Sequence, residues 1–122
     1  MSADSAVPTT PATSAASDSA AAAQNISQHP LRTPDVEVML DALRLAANND
    51  ELFNFLLDVT TPRELSEMAQ RLQVAQLLSS GRAYAAIEKE TGASAATIAR
   101  VSKCLQYGNT GYATILKRLE EK

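Results

Sequence analysis

The residues of this chain that are best suited to contact a polyanion lie between positions 82 and 103, where basic side chains stand among small ones. Thr97, Arg100 and Lys103 follow one another at a spacing of three, which places them on one face of a helix. Short side chains let a helix approach base edges in the major groove of DNA, and basic side chains contact its phosphates. The pattern predicts the following DNA contacts: Arg82, Lys89, Ser94, Ala95, Ala96, Thr97, Ala99, Arg100 and Lys103.

Gly92 and Ser94 indicate how such a helix would be positioned. Glycine adopts the left-handed conformation that ends a helix without penalty, and the serine hydroxyl can accept a backbone N–H from the first turn of the next helix. Four apolar residues are spaced so as to hold the two helices together: Ile87, Ala93, Ile98 and Val101. This is the helix-turn-helix pattern, whose second helix enters the major groove. A helical hairpin with no role in nucleic-acid binding is the alternative.

Charge is segregated along the chain, although the formal net charge is only -3. Residues 35–80 carry eight acidic and three basic side chains, whereas residues 81–118 carry two acidic and six basic ones. The net charges of the two segments are therefore -5 and +4, and the sign changes where the helix-turn-helix begins. Ordinary solvated surface charges would also give such numbers, but the position of the change favours a basic binding surface on an acidic scaffold.

Several classes of function lack the residues that they need. Cys104 is the only cysteine and His29 the only histidine, so we expect neither an intramolecular disulfide nor a metal site. We expect no catalytic residues and no enzymatic activity, because the predicted domain has no histidine, no Gly-rich phosphate loop and no plausible acid pair. No apolar run is long enough for a membrane span, and the first residues do not resemble a signal peptide, so we expect a cytoplasmic protein.

Composition divides the chain into a tail, residues 1–32, and a domain, residues 33–122. The tail is predicted to be disordered, because 21 of the first 30 residues are Ala, Ser, Thr or Pro and offer too little apolar surface to offset the entropy of ordering. The domain contains no strand pattern, so we expect an all-α fold with about six helices.

Two helices of the domain have recognisable starts, Thr33-Pro34-Asp35 and Thr61-Pro62-Arg63-Glu64. Each offers a capping threonine and a proline at the first helical position, and Glu64 completes a capping box with Thr61. The second of these helices is expected to run to about Ser79 and to end at Gly81. Its inward-facing residues are predicted to be Leu65, Met68, Leu72, Ala75 and Leu78.

Residues 52–57 are apolar at five of six positions, so we expect this short helix to be buried on more than one side. A domain of this size has a small core of its own. A homodimer that buries residues 52–57 between two chains would cover this helix and would also add to the small core. Two recognition helices would then suit a palindromic DNA site.

Several motifs, in order along the chain, resemble those of the Trp repressor family and in particular its YerC/YecD-type members. The motifs are Thr61-Pro62-x-Glu64, Leu77-Leu78-x-x-Gly81, the segment 87–94, Gly92-Ala93-Ser94-x-Ala96-Thr97-Ile98-x-Arg100, Cys104-Leu105 and Tyr107-Gly108-Asn109-x-Gly111-Tyr112. The resemblance covers nearly everything after residue 35. It implies a cytoplasmic, intertwined all-α dimer that binds operator DNA, with Ala95, Ala96, Thr97 and Ala99 at the recognition positions.

The resemblance also implies a ligand site. Arg71 and Arg100 match arginines on either side of a bound corepressor, and Thr61 matches a residue at the edge of that pocket. An ion pair with Glu67 or Glu64 is the alternative role for Arg71.

Several departures from the family pattern concern ligand and DNA contacts. Val101 stands where the family has a glycine beside the bound indole, Cys104 replaces a ligand-contacting serine, and Glu88 replaces a DNA-contacting lysine. An amino-acid corepressor is compatible with the sequence, but we do not expect tryptophan bound in the family's manner.

The sequence therefore predicts a regulator of transcription that binds specific double-stranded DNA, as a homodimer and of the repressor type. The alternative is a helical protein–protein interaction module that uses the same fold without specific DNA binding. A salt titration on duplex DNA separates the two, because phosphate neutralisation makes affinity depend on salt.

Overall fold

The computed structural model describes residues 26–122, and residues 1–25 of the predicted tail lie outside this part. Its helices, after a 3₁₀ turn at Ile26–Gln28, are α1 (Pro34–Leu45), α2 (Asn49–Val59), α3 (Pro62–Ser79), α4 (Tyr84–Thr91), α5 (Ala95–Tyr107) and α6 (Gly111–Glu120). No strand occurs in this range, which confirms the predicted all-α class. None of the helices described is long and apolar enough to cross a membrane.

Residues just before the predicted start of the domain at residue 33 already form hydrogen bonds and an ion pair. The backbone N–H of Arg32 donates to the carbonyl of His29 at 2.9 Å, and the Arg32 guanidinium forms an ion pair with Glu37 in α1. This ion pair connects the last residues of the predicted tail to the first helix.

Local hydrogen bonds account for the starts of α2 and α3. The side chain of Asn48 accepts the N–H of Glu51 at 2.9 Å. The predicted capping box is present at α3, where the Glu64 N–H donates to the Thr61 hydroxyl at 3.1 Å and the Thr61 N–H donates to the Glu64 carboxylate at 2.8 Å. These bonds satisfy backbone donors that have no partner within the helix.

The start of α1 differs from the prediction in one respect. Pro34 occupies the first helical position as expected, but the Thr33 side chain makes no capping bond to the helix. Its hydroxyl instead donates to the carboxylate of Asp35. The prediction of a threonine cap was wrong, because the hydroxyl is turned towards the Asp35 carboxylate, to which it donates, and accepts no backbone N–H of the first turn.

Residues 71–122 form one of two compact units, and this C-terminal unit has its own core. The buried residues are Val74, Ala75, Ile87, Ala93, Ile98, Val101 and Leu116, with Leu72, Leu77, Leu78, Leu105 and Tyr112 packed against them. Helix α5 packs against both α4 and α6. The helix-turn-helix is therefore built on a core that belongs to the same unit.

Residues 27–70 form the N-terminal unit, in which no side chain reaches full burial within the single chain. Phe53 and Leu57 are 53% and 46% exposed, whereas Leu52, Phe55 and Leu56 are half-buried. The expectation that residues 52–57 are buried on more than one side thus fails for one chain alone. Met68 is 46% exposed, so its predicted inward position is also wrong for the single chain. A chain by itself supplies too few neighbouring side chains to cover these residues.

Candidate nucleic-acid interface

The turn between α4 and α5 is fixed by hydrogen bonds on both sides. Gly92 has φ +76°, and its N–H donates to the Glu88 carbonyl at 2.9 Å. The Thr91 hydroxyl donates to the Ile87 carbonyl at 2.7 Å and accepts the Ala93 N–H at 3.1 Å. The predicted left-handed glycine is confirmed, and the turn cannot move without breaking several bonds together.

Helix α5 begins with the predicted serine cap. The Ser94 hydroxyl accepts the Thr97 N–H at 3.1 Å, and the two side-chain oxygens also lie 3.1 Å apart. Thr97 is half-buried, whereas Ser94 is exposed. The hydroxyl of Thr97 is thus already in contact with the cap, and its methyl and oxygen are only partly available to a partner.

Four buried residues lock the two helices at a fixed angle, as the sequence predicted. Ile87 and Ile98 are fully buried, and Ala93 and Val101 are 4% and 1% exposed. Since these side chains point inward, the opposite side of α5 is directed to solvent. The exposed residues on α5 include Ala95, Ala96, Ala99, Arg100 and Lys103.

The exposed part of α5 changes character along its length. Its first two turns present alanine methyl groups, and Arg100 and Lys103 follow towards the other end. Lys89, in the last turn of α4, is also exposed. None of these three cations forms an ion pair with another residue of the range 26–122. Their charges are therefore free to interact with an anionic partner.

Arg82 behaves differently from the other predicted DNA contacts. Its guanidinium Nη2 lies 2.6 Å from the Oε1 atom of Glu90, in the last turn of α4. Sequence reasoning did not identify Glu90 as a residue of this surface. The signal that could have revealed it is the opposite charge of a residue just before α4 and a residue in the last turn of α4.

The residues predicted to bind a corepressor have separate roles in the structure. The Thr61 hydroxyl caps α3. Arg71 is half-buried and has no ion pair within the described chain. The alternative role for Arg71 is wrong, because Glu67 pairs with Arg63 at 3.4 Å and Glu64 accepts the Thr61 N–H.

Arg100 lines a shallow pocket of about 230 Å³ together with Lys103, Cys104, Tyr107 and Gly108. An adjoining apolar groove of about 420 Å³ lies between α3, α5 and α6 and is lined by Leu72, Cys104, Gly108, Asn109, Gly111, Tyr112 and Ile115. Cys104 borders both and is exposed. Arg71 lines neither, so the structure does not bring the two predicted ligand arginines together there. Residues 26–122 contain no cluster of His, Cys, Asp or Glu that could hold a metal ion.

The α4–turn–α5 geometry defines a helix-turn-helix protein of the all-α class. Residues 35–120 match the model of the family described as Trp repressor protein, and the chain belongs to this family. It is 41% identical over 91 residues to the uncharacterized protein YerC of Bacillus subtilis (strain 168), an alignment that spans 75% of this chain and 88% of YerC.

Two solved structures are also similar to this chain. A TrpR-like protein from Eubacterium eligens superimposes with a TM-score of 0.72 at 41% identity, over 74% of this chain and 93% of that one. A proposed Trp repressor from Staphylococcus aureus gives the same TM-score and identity, over 75% and 92%. The predicted Trp-repressor-like fold and the YerC-type membership are thereby confirmed.

Proposed function

We propose that this protein regulates transcription by binding specific sites in double-stranded DNA, with α5 as the recognition helix. The observation that carries the proposal is the surface of α5, where alanine methyl groups precede two exposed, unpaired cations on a helix held by a buried core. Small side chains at the start of a recognition helix allow close approach to bases, and the alanines can touch thymine methyl groups. Arg100, Lys103 and Lys89 are placed to contact phosphates and to fix the register.

The acting form in this proposal is a homodimer. The N-terminal unit leaves large apolar side chains uncovered in one chain, including Val38 at 67%, Leu45 at 81% and Phe53 at 53% exposure. So many large apolar side chains left exposed in one unit favour an interaction site there. A second copy that covers it also provides a second recognition helix, which suits a palindromic operator and the repressor type of regulation.

In this proposal, tryptophan is not a corepressor bound in the family's manner. The resemblance implies a glycine where this chain has Val101, whose side chain is buried in the core with Ile87 and Ile98. Cys104 offers a thiol, which is a weak donor, where a hydroxyl is expected. Calorimetry with tryptophan should show no binding at physiological concentrations. Binding that Arg71→Ala abolishes would contradict this part of the proposal and would establish a corepressor site.

The central experiment is a salt titration on a duplex selected from a random pool. Affinity should fall with salt, and Lys103→Ala should lower the slope of log affinity against log salt by about 0.9, the value for one phosphate contact. The matched control is Lys117→Ala, since Lys117 lies in α6, outside the helix-turn-helix, and its removal should leave the slope unchanged.

A charge at the groove tests the recognition helix itself. Ala96→Glu should abolish binding to the selected duplex, because it places a carboxylate against the DNA, while helical circular dichroism stays unchanged. Ala113→Glu introduces the same side chain at an exposed position of α6 and should bind normally. Salt-independent or absent DNA binding by the unaltered protein would instead favour the protein–protein interaction module.

A further inference from the structure

The position of Arg82 is fixed by the end of α3. Gly81 has φ +86°, its N–H donates to the Leu78 carbonyl at 3.0 Å, and the Arg82 N–H donates to the Leu77 carbonyl at 3.1 Å. These two bonds form the arrangement that commonly ends a helix at a left-handed glycine. The backbone of Arg82 is thus held by α3, whose last turns contribute Val74 and Ala75 to the core.

From this anchored backbone, the Arg82 side chain extends along α4 to Glu90. Nη2 and Oε1 lie 2.6 Å apart, and the two side chains are 45% and 43% exposed. Arg82 is the one cation of the range 82–103 that has an ion-pair partner among residues 26–122. Glu90 therefore neutralises one of the four positive charges on this surface.

An exposed ion pair of this kind contributes little to folding, because water and salt screen it. It nevertheless affects a DNA phosphate in two ways. The carboxylate occupies an edge of the guanidinium that would otherwise donate to a phosphate, and its negative charge repels the DNA backbone. Counterion release, which drives phosphate contacts, is lost for a cation that is already neutralised.

We propose that Glu90 limits the affinity of this protein for DNA by competing with a DNA phosphate for Arg82. The inference rests on the proposed function and adds to it a residue that sets how much sequence-independent affinity the motif has. Lower sequence-independent affinity favours selective binding, because a genome presents a very large number of competing non-specific sites.

Glu90→Gln tests the inference, because it removes the charge and keeps the size of the side chain. Affinity for duplex DNA should rise about three- to tenfold at about 0.1 M salt, for the selected sequence and an unrelated one alike. The salt slope should steepen by about 0.9, as expected for one more neutralised phosphate. Arg82→Gln alone should lower affinity by about twofold, because it leaves the charge of Glu90 without a partner beside the DNA.

The double variant separates direct competition from a general change of charge. In the Arg82→Gln background, Glu90→Gln should raise affinity by only about twofold, because it removes the repulsion by the carboxylate but releases no guanidinium for a phosphate. The matched control is Glu88→Gln, which removes the same charge from the same helix at a residue that has no ion pair within the described chain. Its effect should be the same with and without Arg82. Circular dichroism should show all variants folded, because both glutamates are exposed.

The outcomes distinguish this inference from the proposed function. If the unaltered protein binds DNA and Glu90→Gln raises affinity equally in both backgrounds, competition for Arg82 is overturned while the proposed function stands. If neither the unaltered protein nor any variant binds duplex DNA in a salt-dependent way, the proposed function is overturned and the inference with it.

Discussion

The two units of this chain differ in how far their apolar side chains are buried within the single chain. In residues 71–122, seven buried side chains form a core among α3, α4, α5 and α6. In residues 27–70, α1 and α2 contain no buried residue at all, although their apolar content is comparable. Both units have well-formed helices, so the contrast concerns packing and not secondary structure.

This contrast separates two sources of helix stability. The helices of the N-terminal unit rely on caps and on a proline at the first position, which are interactions within a few residues. Short helices in water are marginal on such interactions alone and need an apolar face that is covered. The C-terminal unit meets this need within one chain, and we propose that the N-terminal unit meets it in a homodimer.

The largest effect is expected from a cavity in the core of the C-terminal unit. Ile98→Ala should lower the free energy of unfolding by about 4 kcal/mol in urea titrations at a fixed protein concentration, since Ile98 is fully buried. Ile98→Val removes a single methylene and should lower it by about 1 kcal/mol. Equal losses for the two variants would show that this core is more loosely packed than the structure indicates.

A charge on the uncovered surface of the N-terminal unit tests the other half of the contrast. Phe53→Asp should weaken dimerisation at least about a hundredfold in sedimentation experiments, because the carboxylate would be buried against the second copy. Asn54→Asp introduces the same side chain at the next, exposed position and should leave dimerisation intact. If Phe53→Asp leaves the dimerisation affinity unchanged, Phe53 and its surroundings are not part of the dimer interface.

The residues before α1 and α5 each carry a hydroxyl, and its removal from each in turn tests how much the two helix starts depend on a side-chain cap. Ser94→Ala should lower the free energy of unfolding by about 1 kcal/mol, because the Thr97 N–H loses its acceptor. Thr33→Ala should lower it by less than about 0.5 kcal/mol, because Thr33 makes no side-chain capping bond. The measurement is thermal unfolding of both variants, and a larger loss at Thr33 would contradict the observed difference between the caps.

The smallest expected effect is a change in the stability of the protein at acidic pH. The backbone N–H of Thr61, and secondarily its hydroxyl, lower the pKa of Glu64 below its ordinary value of 4.5. A pKa lowered by folding gives stability that is present above the unfolded-state value and is lost as the pH falls through the folded-state value. Stability should therefore decline as the pH falls below about 4.5.

Glu64→Gln is the variant that isolates this dependence. Glutamine can still accept the Thr61 N–H in a capping box but does not titrate. The decline of stability below about pH 4.5 should be shallower in this variant, whereas stability at pH 7 should change little. If the dependence of stability on pH is the same in Glu64→Gln, other carboxylates cause the decline at low pH. Asp35 is one such carboxylate, because the Thr33 hydroxyl lowers its pKa.

The amino-acid sequence by itself determined the features that depend on neighbours within about four positions. Gly92 in the left-handed conformation, the Ser94 cap and the Thr61–Glu64 box are all present as predicted. Each is a hydrogen bond or a backbone preference that is specified by residues within about four positions and involves no distant side chain. Apolar spacing was sufficient for the helix-turn-helix core, because the two helices there are consecutive and short.

Only the tertiary structure decided which apolar and charged side chains find partners. Leu116 is buried while the neighbouring Ile115 is 47% exposed, and Met68 remains at the surface of the single chain. The hydroxyl of Thr33 donates to the Asp35 carboxylate and does not cap the helix. Arg82 forms an ion pair with Glu90, whereas Arg71 forms one with neither Glu64 nor Glu67. The physical reason is that burial and ion pairing depend on which surfaces meet in space, and sequence spacing specifies the face of a helix without specifying what covers it.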